Sequence, residues 1–514
     1  MRNYVLCLSF SLLVCYASSA NILAIFHAPS KSHHNLAVKY LRPLAERGHH
    51  ITLASPHVLK NPPKNWRDVV FKDLGKDVMT DGKIMYKMAG MSSYMKEIIT
   101  GTIGARFTSQ FLEHPAFQDL LNLKDQFDVI IIERFMNDAL LGLVHHFKAP
   151  YIWFGSMGYS RWTNDLIGNP GSPAYIPDLF LDYTSNMNLW QRFHNTFFFC
   201  FAQLHTYFSA WPQQEKLYEK YFPGAPKMKD LYYNASLVFL NTHVSIKYAV
   251  PSVPNMIEIG GYHVTPPESL PKDLKDYFDN APNGVIYFSL GSVVQGKDMP
   301  EETRDAILRV FSNLKQKVLW KWEADVTFKV PSNVKFEKWL PQNDLLAHPN
   351  LKLFITHGGL LSTIEAVYHG VPLLTLPVFA EQLMNAAETE EYGYGLQLPF
   401  AKFDEEKFKQ LLTEILNNPK YKNNVQTRSK ILKDQETTPI DRAIFWTEYV
   451  IRHKGAPHLR SVTLNLKWYQ YLLIDVLALA AVIVFVIYYV LKSCLSLIFN
   501  KKKNADINRH KKTN

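Results

Sequence analysis

A set of side chains between Gly291 and Gln382 has the types and spacing needed to hold a nucleotide joined to a sugar. Trp339 offers a flat ring on which a base can stack, and Gln342, one turn on, can hydrogen-bond a base or ribose edge. The run Thr356-His357-Gly358-Gly359 opens directly into a helical pattern. Glycines there permit close backbone approach, and free amides at the start of a helix, with its dipole, favour a diphosphate. His357 and Ser362 add hydrogen-bond donors, and Glu365 can accept from ribose hydroxyls. Glu381 and Gln382 present a carboxylate and an amide to sugar hydroxyls. None of this chemistry requires a metal.

These residues follow short β-rich runs that alternate with helical stretches, the pattern of parallel sheets covered by helices. A first block holds strands at Ile22–Phe26, Ile51–Ala54 and Val129–Ile132, with a helical stretch ending at Arg47-Gly48-His49. A second holds strands at Val285–Leu290, Val318–Trp322, Val334–Trp339, Leu351–Thr356 and Leu373–Leu376, with helices from Glu301 and over Ser362–His369. Prolines 251, 254, 266, 267 and 271 and the pair Gly260-Gly261 mark the join. The expectation is an α/β protein of two Rossmann-like domains facing across a cleft. Open sheets of this kind bind ligands beyond the carboxyl ends of their strands. Gly291-Ser292, Trp339 to Asn343, Thr356 to Gly359 and Pro377 to Gln382 all fall at such ends.

Both ends of the chain depart from this pattern. Met1 to Ala20 has a basic Arg2, an apolar run and small residues at 17 to 20, the layout of a cleaved secretory signal. Trp468 to Leu491 is apolar apart from Gln470 and Asp475 and is long enough to cross a bilayer. Residues 492–514 form a basic tail, whose positive flank is expected on the cytoplasmic side. Within it Lys501, Lys502, Lys503, Arg509, Lys511 and Lys512 face one acid, Asp506, so five of the ten net positive charges lie there. The body is then only mildly basic, and no nucleic-acid footprint is needed. Cys7 and Cys15 leave with the signal and Cys494 lies at the membrane exit, so Cys200 alone remains in the body and cannot staple its own chain. Asn234-Ala235-Ser236 is an N-glycosylation sequon, meaningful if the body is lumenal.

The ordered run from Trp339-Leu340-Pro341-Gln342-Asn343 through Ala347-His348-Pro349, Phe354-Ile355-Thr356-His357-Gly358-Gly359, Glu365-Ala366, Gly370-Val371-Pro372, Pro377, Glu381-Gln382 and Asn385-Ala386 resembles the signature of UDP-glycosyltransferases, in their animal membrane-bound branch. The resemblance spans essentially the whole chain. It implies the GT-B fold, with an acceptor-binding domain over 21–262, a UDP-sugar-binding domain over 263–467, and a single membrane helix over 468–491. Lys511 and Lys512 resemble a dilysine retrieval signal, implying an endoplasmic reticulum membrane protein with lumenal domains and a cytoplasmic C-terminus.

By the same likeness Trp339, Gln342, Asn343 and Glu365 contact the nucleoside, Ser292 and His357 the diphosphate, and Glu381 and Gln382 the sugar. Gly359 and Ser362 belong to the same turn and helix start. Lys321 stands where relatives often have Arg, Glu381 where they commonly have Asp, and Leu361 where the plant branch has a phosphate-binding Asn. Ser30-Lys31-Ser32-His33 follows the first strand and looks like the family segment bearing a catalytic histidine, which points to His33, with His34 as the alternative. Such a base works best with a carboxylate that orients its ring. Family register places Glu133 there, and Asp138 is the second choice.

The implied reaction is inverting transfer of a hexose from a UDP-sugar co-substrate to a hydroxyl of a small lipophilic acceptor, with no bound cofactor. UDP-glucose ranks first as donor; UDP-glucuronate, or a catalytically silent binding homologue, is the alternative. Leu189 to Phe208 is rich in aromatics interrupted by Arg192, His194, Asn195, Gln203 and His205. That stretch suits an apolar channel, a membrane-surface helix or ordinary core.

Overall fold

Two parallel sheets organise the chain. The computed structural model describes residues 19–76 and 82–510, so most of the expected signal, together with Lys511 and Lys512, lies outside the described residues. The chain divides into one compact unit ending at Arg460 and a second beginning at Ser461.

The first sheet contains β1 (Asn21–Ile25), β2 (His50–Ser55), β3 (Trp66–Val70), β4 (Val129–Glu133), β5 (Tyr151–Gly155), β6 (Leu237–Leu240) and β7 (Met256–Glu258). Their spatial order is β3-β2-β1-β4-β5-β6-β7. The second contains β8 (Val285–Ser289), β9 (Lys317–Lys321), β10 (Val334–Glu337), β11 (Leu351–Thr356), β12 (Leu373–Thr375) and β13 (Gly395–Gln397), in the order β10-β9-β8-β11-β12-β13. Every pairing is parallel. Helices cover both faces of such sheets, so central strands become continuous apolar runs. β4 reads Val-Ile-Ile-Ile-Glu and is buried throughout. Its single acid therefore falls at the carboxyl edge, where a charged group can meet a partner.

Seven helices build the site, cover the sheets or end the chain: α1 (Lys31–Glu46), α2 (Ser93–Glu113), α3 (Leu189–His205), α4 (Leu360–His369), α5 (Gln382–Glu391), α6 (Pro439–Arg452) and α7 (Ile474–His510). Strand register pairs Ile25 with Ile132, so the chain leaving β1 reaches α1 level with the end of β4. The strands missing from the sequence reading, β3, β5, β6 and β7, are short or aromatic and carry weak pattern.

The two halves exchange elements. α6 follows the second sheet in sequence, yet Ala443, Ile444 and Val450 pack with Ile22, Tyr40 and Leu44 in the first sheet's core. The Tyr40 hydroxyl lies 2.5 Å from Thr447 Oγ1, and Arg47 donates to Asp441 at 2.7 Å. Conversely Tyr86 and Ala89 from the first half join the core of the second sheet. The expected limit at residue 467 therefore does not follow the packing, because the apolar stripe of α6 covers the first sheet.

In the second unit a short helix at Trp468–Tyr471 stops before Leu473, which takes a left-handed φ of 55°. The apolar helix long enough to cross a bilayer then runs Ile474–Lys502, later in the chain than the expected 468–491. Leu473 sets the difference, because its backbone cannot continue a right-handed helix.

Because Ile444 is almost fully buried against the first sheet, Ile444→Ala should destabilise the protein by about 2–5 kcal/mol. A lowered thermal unfolding midpoint of the detergent-solubilised chain checks this.

Candidate active site

The carboxyl edges of both sheets meet at His33. This residue lies in the first turn of α1, and its Nδ1 donates to Glu133 Oε1 at the end of β4. The carboxylate is fully buried, while the His33 side chain keeps 17% exposure. Asn137 shapes the turn after β4: its Nδ2 donates to Glu133 O at 2.9 Å, and its Oδ1 accepts from Phe135 N at 3.0 Å. Phe135 then lies edge-on to His33, with centroids 4.9 Å apart. Ring orientation is thereby set from two sides. With Nδ1–H committed to the carboxylate, Nε2 is the nitrogen left to accept a proton.

Burial works against a charged His33, but Glu133, by proximity and hydrogen bond, and then Glu381 overcome it, so the pKa is raised above 6.5. Glu381 precedes α5 on the second sheet, so its effect on His33 crosses the cleft. Burial raises the Glu381 carboxyl as well, against the pull of its own backbone hydrogen bond, His33 and Lys247. His27, at the end of β1, is pushed down to about 3 by burial and by His33, and stays neutral.

The two carboxylates left open by the sequence part company here. Glu133 takes His33, whereas Asp138 Oδ1 lies 3.0 Å from Arg134 Nη1, in a buried pair away from the imidazole. His34 hydrogen-bonds Ser55 Oγ at 3.0 Å and is pushed down to about 4 by burial, then by His57 and Lys31. It is held within the first domain.

On the opposite wall, Trp339 follows β10 and is 61% exposed, an open ring rather than core. The ammonium of Lys31, from α1, sits 4.5 Å from its centroid across the cleft. Gln342 Nε2 donates to Ser362 Oγ at 3.0 Å and to Glu365 Oε2 at 2.6 Å, while its Oε1 accepts from the Tyr287 hydroxyl at 3.2 Å. Burial raises Glu365 to about 7, although the Gln342 hydrogen bond pulls it down. Asn343 is engaged within the protein at both ends, donating to Thr265 O at 3.0 Å and lying 2.9 Å from His369 Nε2. It braces the turn that presents Gln342.

His357 stands after β11, pushed down to about 4 by burial and then by Lys321, so it offers a neutral ring. Two glycines make room for it. A Cβ on Gly291 would lie 2.7 Å from His357 Cε1, and one on Gly359 would lie 2.5 Å from His357 Nε2. Gly291 also has a φ of +94°, which L side chains rarely adopt. Ser292 follows it in the same turn, and Lys321 Nζ donates to Gly291 O at 2.6 Å and to Glu323 at 3.0 Å. Gly358 takes a φ of +82°, and its carbonyl accepts from Asn385 Nδ2 at 2.9 Å. Gln382 Oε1 accepts from the amides of Val378 and Phe379 at 3.0 and 3.1 Å, which fixes the loop carrying Glu381.

Sequence reasoning missed Lys31, Phe135, Asn137 and His369 as neighbours of the site. Lys31 could have been found, since it lies in the very segment that supplied His33.

Residues 63–508 match the family described as UDP-glucoronosyl and UDP-glucosyl transferase. The chain belongs to that family. It is 35% identical over 523 residues to UDP-glycosyltransferase UGT5 of Dactylopius coccus, covering 99% of each chain. It is 33% identical to UDP-glucosyltransferase 2 of the same organism, covering 98% of each. Among solved structures it is similar to Os79 from O. sativa in complex with UDP, with a TM-score of 0.55 and 16% identity, over 83% of this chain and 100% of that one. The paired parallel sheets are thus the GT-B fold of a glycosyltransferase, and the expected donor class is a UDP-sugar.

Two outcomes are expected of this UDP-glycosyltransferase. General-base action needs neutral His33, so kcat/KM should fall as pH drops through a value above 6.5. Glu133→Gln removes the charge that raises it, so that limb should move to lower pH while kcat falls about 100-fold or more; pH–rate profiles of both proteins check it. Gly291→Ala forces its methyl onto His357, and calorimetry should show UDP binding weakened at least about tenfold, the factor of a 1.4 kcal/mol loss.

Proposed function

We propose that this protein transfers a hexose from a UDP-sugar, glucose first, to a hydroxyl on a small lipophilic acceptor, with inversion at the anomeric carbon. The observation that carries the reading is the His33–Glu133 pair facing the Glu381 loop across the cleft. The acceptor hydroxyl gives its proton to His33 Nε2 as its oxygen bonds the anomeric carbon. The bond from that carbon to the diphosphate oxygen breaks, and UDP leaves with the electron pair. Glu133 stabilises the imidazolium formed, as the carboxylate does in a serine-protease triad.

The nucleoside belongs on Trp339 with Gln342 and Glu365, and the diphosphate at Ser292, His357 and the Gly359–Ser362 start of α4. Glu381 and Gln382 lie at the sugar end. UDP-glucose is supported by the name of the UDP-glucosyltransferase 2 relative, and UDP-glucuronate is the alternative that the family description supports. In this reading the apolar helix Ile474–Lys502 anchors the protein in the endoplasmic reticulum membrane as a single-pass type I protein, with its catalytic body in the lumen. Asn234 is accessible to glycosylation there.

His33→Ala should lower kcat about 10²- to 10⁴-fold and leave UDP binding nearly intact. Trp339→Ala should instead weaken UDP binding about 5- to 150-fold, the range of 1–3 kcal/mol for base stacking. Microsomes given labelled UDP-glucose and UDP-glucuronate with a panel of phenols report both the transfer and the donor. Binding without any transferred sugar would establish the silent homologue instead.

A further inference from the structure

The aromatic stretch Leu189 to Phe208 begins with α3, whose two faces differ sharply. Asn195, Phe198 and Ala202 are buried. Asn195 pins the helix by donating to Pro173 O at 2.7 Å and Ile176 O at 2.9 Å, and by accepting from Asp178 N at 2.9 Å. The outer face is apolar and open: Trp190 is 77% exposed, Phe193 63%, Phe197 58% and Leu204 58%. Their spacing puts them on one stripe of a 3.6-residue helix. Tyr207 and Phe208 prolong it, at 71% and 72% exposure. Apolar patches of this kind on soluble surfaces mark a partner.

Beneath the stripe an apolar seam leads inward. Phe198 packs with Leu179, Phe180 and Met384, and Phe180 lies 6.0 Å from Phe379. Phe379 and Met384 flank Glu381 in sequence, so this seam ends at the sugar side of the cleft.

We propose that the outer face of α3 rests in the interfacial layer of a lipid bilayer, and that the Phe198–Phe180–Phe379 seam passes apolar acceptors from the lipid to the cleft. The inference rests on the proposed membrane anchor and apolar acceptor. A bilayer is the occupant because the chain itself carries a helix able to cross one, beginning at Ile474. The stripe combines Trp, Tyr and Phe, the side chains that favour the membrane–water boundary.

Cys200 is exposed on this face, at a helical angle between Phe193 and Leu204, and serves as a native reporter. The test uses the full chain carrying Cys494→Ser, in phosphatidylcholine nanodiscs, with a spin label on Cys200. Power saturation should show the label reached by oxygen and shielded from a water-soluble nickel chelate. In the unlabelled chain, Trp190→Gln with Phe193→Gln should raise KM about fivefold for a long-chain alkylphenol held in the bilayer. KM for a water-soluble phenol and kcat for both should stay unchanged.

A chain retained in vesicles through carbonate extraction, but with its label open to the nickel chelate, overturns the proposal alone. Dipolar broadening between labels of two copies also overturns it, by making a second chain the occupant. A chain that carbonate strips from vesicles overturns the anchor, and this proposal with it.

Discussion

A carboxylate without exposed surface closes the end of β4, and the cleft is arranged around the imidazole that compensates it. Burying Glu133 unpartnered would carry a heavy desolvation cost, and removing one member of such a pair typically costs about 3–5 kcal/mol. Strand register keeps the partners together: Ile25 lies beside Ile132, so the first turn of α1 must pass over the end of β4. Phe135 and Asn137 then restrict the ring and the turn. The polarity of the two sheets does the rest, because both present their carboxyl edges to the space that His33 faces.

The facing wall obeys a different principle. Its groups are fixed mainly by hydrogen bonds among themselves: Gln342 to Ser362 and Glu365, Asn385 to the Gly358 carbonyl, Gln382 to two loop amides. Burial keeps His357 neutral and pushes Glu365 toward neutrality. A wall of mostly uncharged donors and acceptors suits a ligand that brings its own negative charge, and Lys31 and Lys321 supply cations at the rim and floor.

Much of the site was legible in the chain because local chemistry and strand ends are written in consecutive residues. The Trp339 to Gln342 step, the Thr356 to Gly359 turn and the β4 run of isoleucines needed no tertiary knowledge. What stayed hidden depended on partners far apart in sequence. Glu133 and Asp138 come after the same strand core and differ only in which cation each meets, and Arg134 claims the latter. Asn343 has the right chemistry for a nucleoside, yet Thr265 and His369 occupy it. α6 has an apolar stripe that fits either sheet, and only the position of Tyr40 and its neighbours decides which.

That return of α6 has a bearing on biosynthesis. The core founded on Ile22 is completed by Ile444 and Val450, so the amino-terminal sheet keeps an uncovered greasy flank while hundreds of later residues are still being translated. Assembly of the acceptor half must wait for nearly the last of the first unit to emerge, which makes the nascent chain a natural client for chaperones in whatever compartment receives it.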